Sequence, residues 1–221
     1  CPHIETWNIS GVTDISRLFE DFDDFNENIT NWNTSMVTNM SYMFSGASAF
    51  NQPLNWNTEN VTDMSGMFHV ARRFNQRLSF DTKNVTNMSR MFQDAERFNQ
   101  PVNFDTKNVV DMSYMFSYAI SFNQPLEHIE GHWNTTNVMD MSSMFYGANS
   151  FNQPLEWNTG NVIDMRDMFK GAESFNQSLN FNTNNVSDMT AMFSEATSFN
   201  QPLEWNTSNV NNMNEMFNQA T

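Results

Sequence analysis

Cysteine occurs once in the 221 residues, as Cys1, so no internal disulfide framework and no thiolate zinc site can be built. Lysine and arginine number only 10 against 25 aspartates and glutamates, a formal net charge of −15. Gripping a phosphate backbone requires clustered cations, so nucleic acid is not an expected partner. No long apolar run occurs, and no transmembrane span is predicted. A glycine-rich phosphate loop, a nucleophile elbow and a Cys/His pairing are also missing, so no enzyme class and no cofactor is implied. What the chain does have is 21 Phe, 18 Met and 6 Trp among many Asn, Ser, Thr and Asp. Such a chain can bury large side chains behind a polar coat, unlike a disordered segment poor in aromatics.

The aromatics keep time along the chain. Trp32, Trp56, Phe80 and Phe104 lie 24 residues apart, Trp133 follows after 29, and Trp157, Phe181 and Trp205 resume the step of 24. A degenerate copy begins at Trp7, 25 residues before Trp32. A fixed period of this size marks a solenoid, in which no unit can bury its apolar side alone. The expectation is one elongated domain over 1–221, with a degenerate first coil at 7–31. Thr221 stops in mid-coil, which suggests a fragment of a longer array.

Each coil divides into two halves by period. In "NVTDMSGMFHVARRF" the apolar residues Val61, Met64, Met67, Phe68, Ala71 and Phe74 fall at spacings that suit a short helix or 3₁₀ turn. In "NQPLNWNT" the alternation Leu54, Trp56, Thr58 suits a short strand over 54–57. Pro53, Pro101, Pro125, Pro154 and Pro202 cannot donate to a ladder and are placed just ahead of that strand. The fold class expected is an α/β solenoid of about eight 24-residue repeats, with one short parallel strand and one short helix or 3₁₀ turn per coil.

Copies of the repeat can be compared within the chain. Asp14, Asn39, Asp63, Asn87, Asp111, Asp140, Asp164, Asp188 and Asn212 occupy one column. Their oxygens could ligate calcium, but one oxygen per coil is sparse, and a helix N-cap is the favoured reading. Asn60, Asn84, Asn108, Asn137, Asn161, Asn185 and Asn209 share a place with Gly11, which suggests positive φ and a tight bend, although Met36 stands there too. Asn26, Asn51, Asn75, Asn99, Asn123, Asn152, Asn176 and Asn200 of "FNQ" never vary and suit a ladder from coil to coil. The threonine row Thr34, Thr58, Thr82, Thr106, Thr135, Thr159, Thr183 and Thr207 suits either backbone bonding or, less readily, an ice-facing column.

The stretches "FNQPLNWNT", "NVTDMS" and "MFSGASAF" and their copies resemble the repeats of bacterial surface proteins abundant in mycoplasma lipoproteins, the BspA-like leucine-rich-repeat proteins. The resemblance covers Trp7 to Thr221. It implies a leucine-rich-repeat-like right-handed coil, display on the cell surface or outside it, and adhesion or protein binding. It also implies that Cys1 could carry a lipid. It transfers no catalytic residue.

Function is then expected where the copies disagree. One variable column reads Arg17, Tyr42, Gly66, Arg90, Tyr114, Ser143, Asp167, Ala191 and Glu215, and a second reads Glu20, Ser45, His69, Gln93, Ser117, Tyr146, Lys170, Ser194 and Asn218. Exposed tyrosine and arginine favour binding hot spots, which singles out Tyr42, Arg72, Arg73, Arg90, Tyr114, Tyr118 and Tyr146. An insertion of five residues, 128–132, breaks the period; His128, Glu130 and His132 are metal-capable types, but a solvated loop is the reading preferred. The sequence thus suggests a non-enzymatic solenoid that binds a protein, a cell-surface ligand or copies of itself. The alternative is a structural subunit that assembles into a filament or surface layer through its ends or edges.

Overall fold

The computed structural model describes residues 3–128 and 131–220, in which the chain forms a stack of coils. Parallel bridges join Asp14 to Asn39, Asn39 to Asp63, and so on through Asn87, Asp111, Asp140, Asp164 and Asp188 to Asn212. Each period of the sequence is therefore one step of the stack.

The residues that follow each bridge use their backbone in two alternating ways. The N–H groups of Met64, Gly66, Phe68 and Val70 donate to the carbonyls of Asn87, Ser89, Met91 and Gln93 in the next coil at 3.1, 2.8, 2.9 and 2.8 Å. Those of Met67, His69 and Ala71 donate back to Met64, Gly66 and Phe68 at 3.2, 3.0 and 3.0 Å, each closing a β-turn. Gly66 and Val70, third residues of the first and last of these turns, both have φ of 57°, the mark of type II geometry.

Neither the short helix nor the 3₁₀ turn expected over this half forms. Half of its amides are committed to the neighbouring coil, and a left-handed residue recurs every fourth position, so no run of i→i−4 bonds can develop. Chained four-residue turns return the chain to the core every third or fourth residue, which is why the apolar spacing imitated a helix. Among the described residues the regular elements are a 3₁₀ turn at Ile4–Thr6 and an antiparallel pair, β1 (Glu127–His128) with β2 (Gly131–His132).

The strand expected over 54–57 is not there either. Leu54, Trp56 and Thr58 are buried while Asn55 and Asn57 are exposed, so the in-and-out alternation is real. The backbone ladder, however, belongs to the opposite half of the coil. Pro53 is tolerated because this half is asked for no ladder bond, rather than because it precedes a strand.

The core is a single cluster running from Ile4 to Met216. Its largest members stand in three columns of stacked rings. Phe44 faces Phe50 within a coil at 3.9 Å, and Phe44 to Phe68, Phe50 to Phe74 and Trp32 to Trp56 stack between coils at 5.7, 6.0 and 6.3 Å. Each fully buried phenylalanine contributes about 1.5–3 kcal/mol relative to exposure. Met64, Met67 and Ala71 belong to the same core, with no exposed surface. The insertion leaves the register intact: Phe104 still stacks on Trp133 at 6.3 Å, and the Trp133 N–H reaches back to the Leu126 carbonyl at 3.5 Å.

Candidate binding face

The invariant rows are spent on holding coils together. The amide oxygen of Asn51 accepts from the backbone N–H of Asn75 at 2.9 Å, and Asn75, Asn99, Asn123, Asn152 and Asn176 do the same for Asn99, Asn123, Asn152, Asn176 and Asn200 at 2.9–3.0 Å. Thr58 donates its hydroxyl to the carbonyl of Asp81 in the next coil at 2.9 Å, and its side chain is buried. The ice-facing alternative required an exposed threonine row; Thr34 to Thr183 are buried and so engaged.

Two rows act differently from expectation. Asp63, Asp111, Asp140 and Asp188 each accept, through Oδ1, the backbone N–H two residues on at 2.8 Å, and Asp164 does so at 3.0 Å. This is capping chemistry, but it caps a train of turns and not a helix. Asn60, Asn84 and Asn108 do not adopt positive φ. They donate side-chain N–H to carbonyls of the preceding coil, Ser35, Glu59 and Lys83, at 2.8, 2.7 and 2.7 Å.

Positive φ falls instead on the variable residues. Arg17, Tyr42, Gly66, Arg90, Tyr114, Ser143, Asp167, Ala191 and Glu215 all have it, as do Asp21, Gly46, Val70, Asp94, Tyr118, Gly147, Gly171, Glu195 and Gln219 four positions later. The expected helical side is thus a face of turns, and side chains leave it from left-handed backbone. A bulky side chain on one coil then lies over its neighbour on the next. A Cβ at Gly66 would sit 2.4 Å from Cε1 of Tyr42, and one at Gly147 would sit 2.6 Å from Cδ1 of Tyr118.

Most of the predicted hot-spot residues come together in one band. Arg90 stacks its guanidinium 4.2 Å from the Tyr114 ring centre and donates to Gln93 Oε1 at 2.9 Å. In the same coil as Tyr114, Tyr118 packs beside Tyr146 with ring centres 4.8 Å apart. The hydrogen bond with Tyr146, and then burial, push the Tyr118 hydroxyl up to about 12. Lys170 completes the band 5.5 Å over Tyr146 and 3.7 Å from the Asp167 carboxylate, which burial holds above the usual range. Tyr42 is held apart, between the Arg17 guanidinium at 4.7 Å and Gly66, with its ring nearly perpendicular to that of His69 and the ring centres 6.2 Å apart. Arg72 is tied to Glu96 in an exposed ion pair, and Arg73 is exposed nearby.

Lys170 and His69 were not singled out from sequence. The pairing of an aromatic with a glycine one period later, Tyr42 with Gly66 and Tyr118 with Gly147, is the signal that marks this face. Glu130 and Cys1 lie outside the described residues, and with Glu130 goes the metal reading of the insertion. Among the described residues no group of three His, Cys, Asp or Glu side chains is arranged for a metal ion, and no helix is long and apolar enough to cross a membrane.

With the repeat placed in space, its relatives can be named. The family described as "Mycoplasma protein of unknown function, DUF285" matches residues 2–80, 54–130, 77–177 and 127–221. The chain belongs to the DUF285 family. The four DUF285 segments overlap and run through the insertion, so they cover the coil array from its first turns to its last. No curated protein matches the chain.

Proposed function

We propose that this DUF285 chain is a non-enzymatic solenoid of the BspA-like leucine-rich-repeat kind, displayed on the cell surface or outside it, that adheres to proteins or cell-surface ligands through its turn face. The observation that supports this is the band formed by Arg90, Tyr114, Tyr118, Tyr146 and Lys170. Invariant side chains are consumed by coil-to-coil bonds, whereas this band gathers the side chains that the copies do not share. Tyrosine and arginine, partly buried and held by neighbours, present large contact areas with little ordering cost on binding.

The test uses substitutions that other coils already carry. Tyr114→Ala copies Ala191, Tyr118→Gly copies Gly147 and Tyr146→Ser copies Ser117 in their columns. Beads coated with the protein are counted on host-cell monolayers against beads coated with the triple variant. Adhesion should fall by about tenfold, which corresponds to roughly 1.4 kcal/mol. Equal adhesion of variant and parent, or none by the parent above bare beads, would remove the reading. End-to-end association with no adhesion would favour the filament alternative.

A further inference from the structure

A second surface departs from the repeat. The exposed column before the Asp/Asn row reads Thr13, Thr38, Thr62, Thr86, then Val110, Met139, Ile163, then Ser187 and Asn211. Thr38, Thr62, Thr86 and Ser187 each donate a hydroxyl to the carbonyl one coil back at 3.2 Å. Val110, Met139 and Ile163 forgo that bond and are 40%, 46% and 41% exposed. A shallow groove of about 510 Å³ lies among Met139, Ile163 and the amide row of Asn137, Asn161 and Asn185.

The neighbouring row changes in the same coils. Asparagine interrupts it at Asn39 and Asn87, but Asp111, Asp140, Asp164 and Asp188 then follow without a break. They are bridged coil to coil, so like charges are held in register. Arg166 pairs with Asp164 at 2.8 Å; among the described residues Asp111, Asp140 and Asp188 make no ion pair and use only Oδ1 internally. Burial, with the carboxylates of Asp140 and Asp188 adding to it, holds Asp164 above the ordinary carboxylate range. An exposed apolar line and an unbroken carboxylate line therefore run side by side.

Charge decides what can cover them. A second copy would set one carboxylate row against another, and an anionic membrane or nucleic acid would meet the same repulsion. A segment that alternates cations with apolar side chains matches both lines at once. We propose that this strip docks a basic, apolar peptide segment of a partner protein, with apolar side chains on Val110, Met139 and Ile163 and cations on Asp111, Asp140 and Asp188. The columns involved are not those of the tyrosine band, so this inference stands or falls separately from the adhesion reading.

The test measures fluorescence anisotropy of three short labelled peptides, alternating Lys/Leu, Lys/Ser and Glu/Leu, against the whole chain at physiological ionic strength. Two variants restore what other coils carry: Val110→Thr with Met139→Thr and Ile163→Thr, and Asp111→Asn with Asp140→Asn and Asp188→Asn. Unchanged melting of both establishes that they fold. The Lys/Leu peptide should bind, the other two should bind at least about tenfold more weakly, and each variant should weaken Lys/Leu binding by about tenfold or more. Equal binding of Lys/Ser, or Lys/Leu binding untouched by the threonine variant, would reduce the effect to general attraction by an acidic chain and overturn the proposal. Binding of neutral vesicles, lost in the threonine variant, without peptide binding would overturn it in favour of a lipid surface.

Discussion

Asn99 serves three coils at once. Its own N–H is held by Asn75 at 3.0 Å, and its amide oxygen accepts from the N–H of Asn123 and from Gln124 Nε2, both at 3.0 Å. Asn99→Ala leaves a half-buried amide without an acceptor and is expected to cost about 1–3 kcal/mol, read as a lower urea midpoint at unchanged slope. Asn99→Asp keeps the acceptor and should lose less. His69 adds a dependence on pH. Burial lowers its pKa below 6.5, with its Nδ1 at 3.1 Å from the Ser45 hydroxyl. The unfolded chain therefore takes up this proton more readily, so the His69 contribution is present above pH 6.5 and is lost as pH falls through the lowered folded value. Asp164 and Asp167, whose pKa values are raised mainly by burial, act with the opposite sign, and stability returns as they protonate at lower pH. His69→Gln, which copies Gln93, should flatten the fall in melting temperature on acidification from neutral pH; parallel curves would show that His69 is not the group responsible.

At the scale of one coil, the insertion offers a clean substitution of length. Deleting 128–132 joins Glu127 to Trp133 and recreates "NQPLEWNT", the stretch that the chain already uses at Leu155 to Trp157 and Leu203 to Trp205. Because Phe104 and Trp133 stack across the insertion as other coils stack without it, the deletion should leave the melting temperature unchanged or slightly raised, since shortening a loop reduces closure entropy. A fall of several degrees would mean that the insertion packs as part of the scaffold. Reading such coils from sequence succeeded where one side chain meets its own copy. The invariant Asn99 and the periodic Trp56 admit few explanations, and their rows stack as expected. It failed where Met64, Met67 and Ala71 were read by period, because chained turns and a helix bring the same positions inward. It failed again at Tyr42 and Tyr114, since a variable, bulky residue gives no sign of left-handed backbone when the strain of order 1 kcal/mol is absorbed by ladder bonds on either side. The acid row was legible as a cap because Asp and Asn share one acceptor, and what it caps was not.

Over the whole molecule, cohesion is divided between two sides. On the acid side, backbone amides from Met64 to Val70 bond the next coil; on the other, side chains join neighbouring coils, Asn51 and Thr58 to the next and Asn60 to the preceding one. Each junction repeats the same bonds, so the array behaves as a row of nearest-neighbour contacts, and surface residues can diverge without loss of register. That freedom is what allows the tyrosine band and the apolar strip to be local features of a uniform stack. Native-state amide hydrogen exchange tests this division most directly. The amides of Gly66, Phe68, Arg90 and Phe92 should exchange at the slowest, near-global rate, while those of Asn55, Trp56 and Asn57, which no backbone acceptor in the next coil holds, should exchange far faster. Protection concentrated at 54–57 with rapid exchange at Gly66 and Phe68 would contradict the account, because the backbone ladder would then lie on the opposite side of the coil.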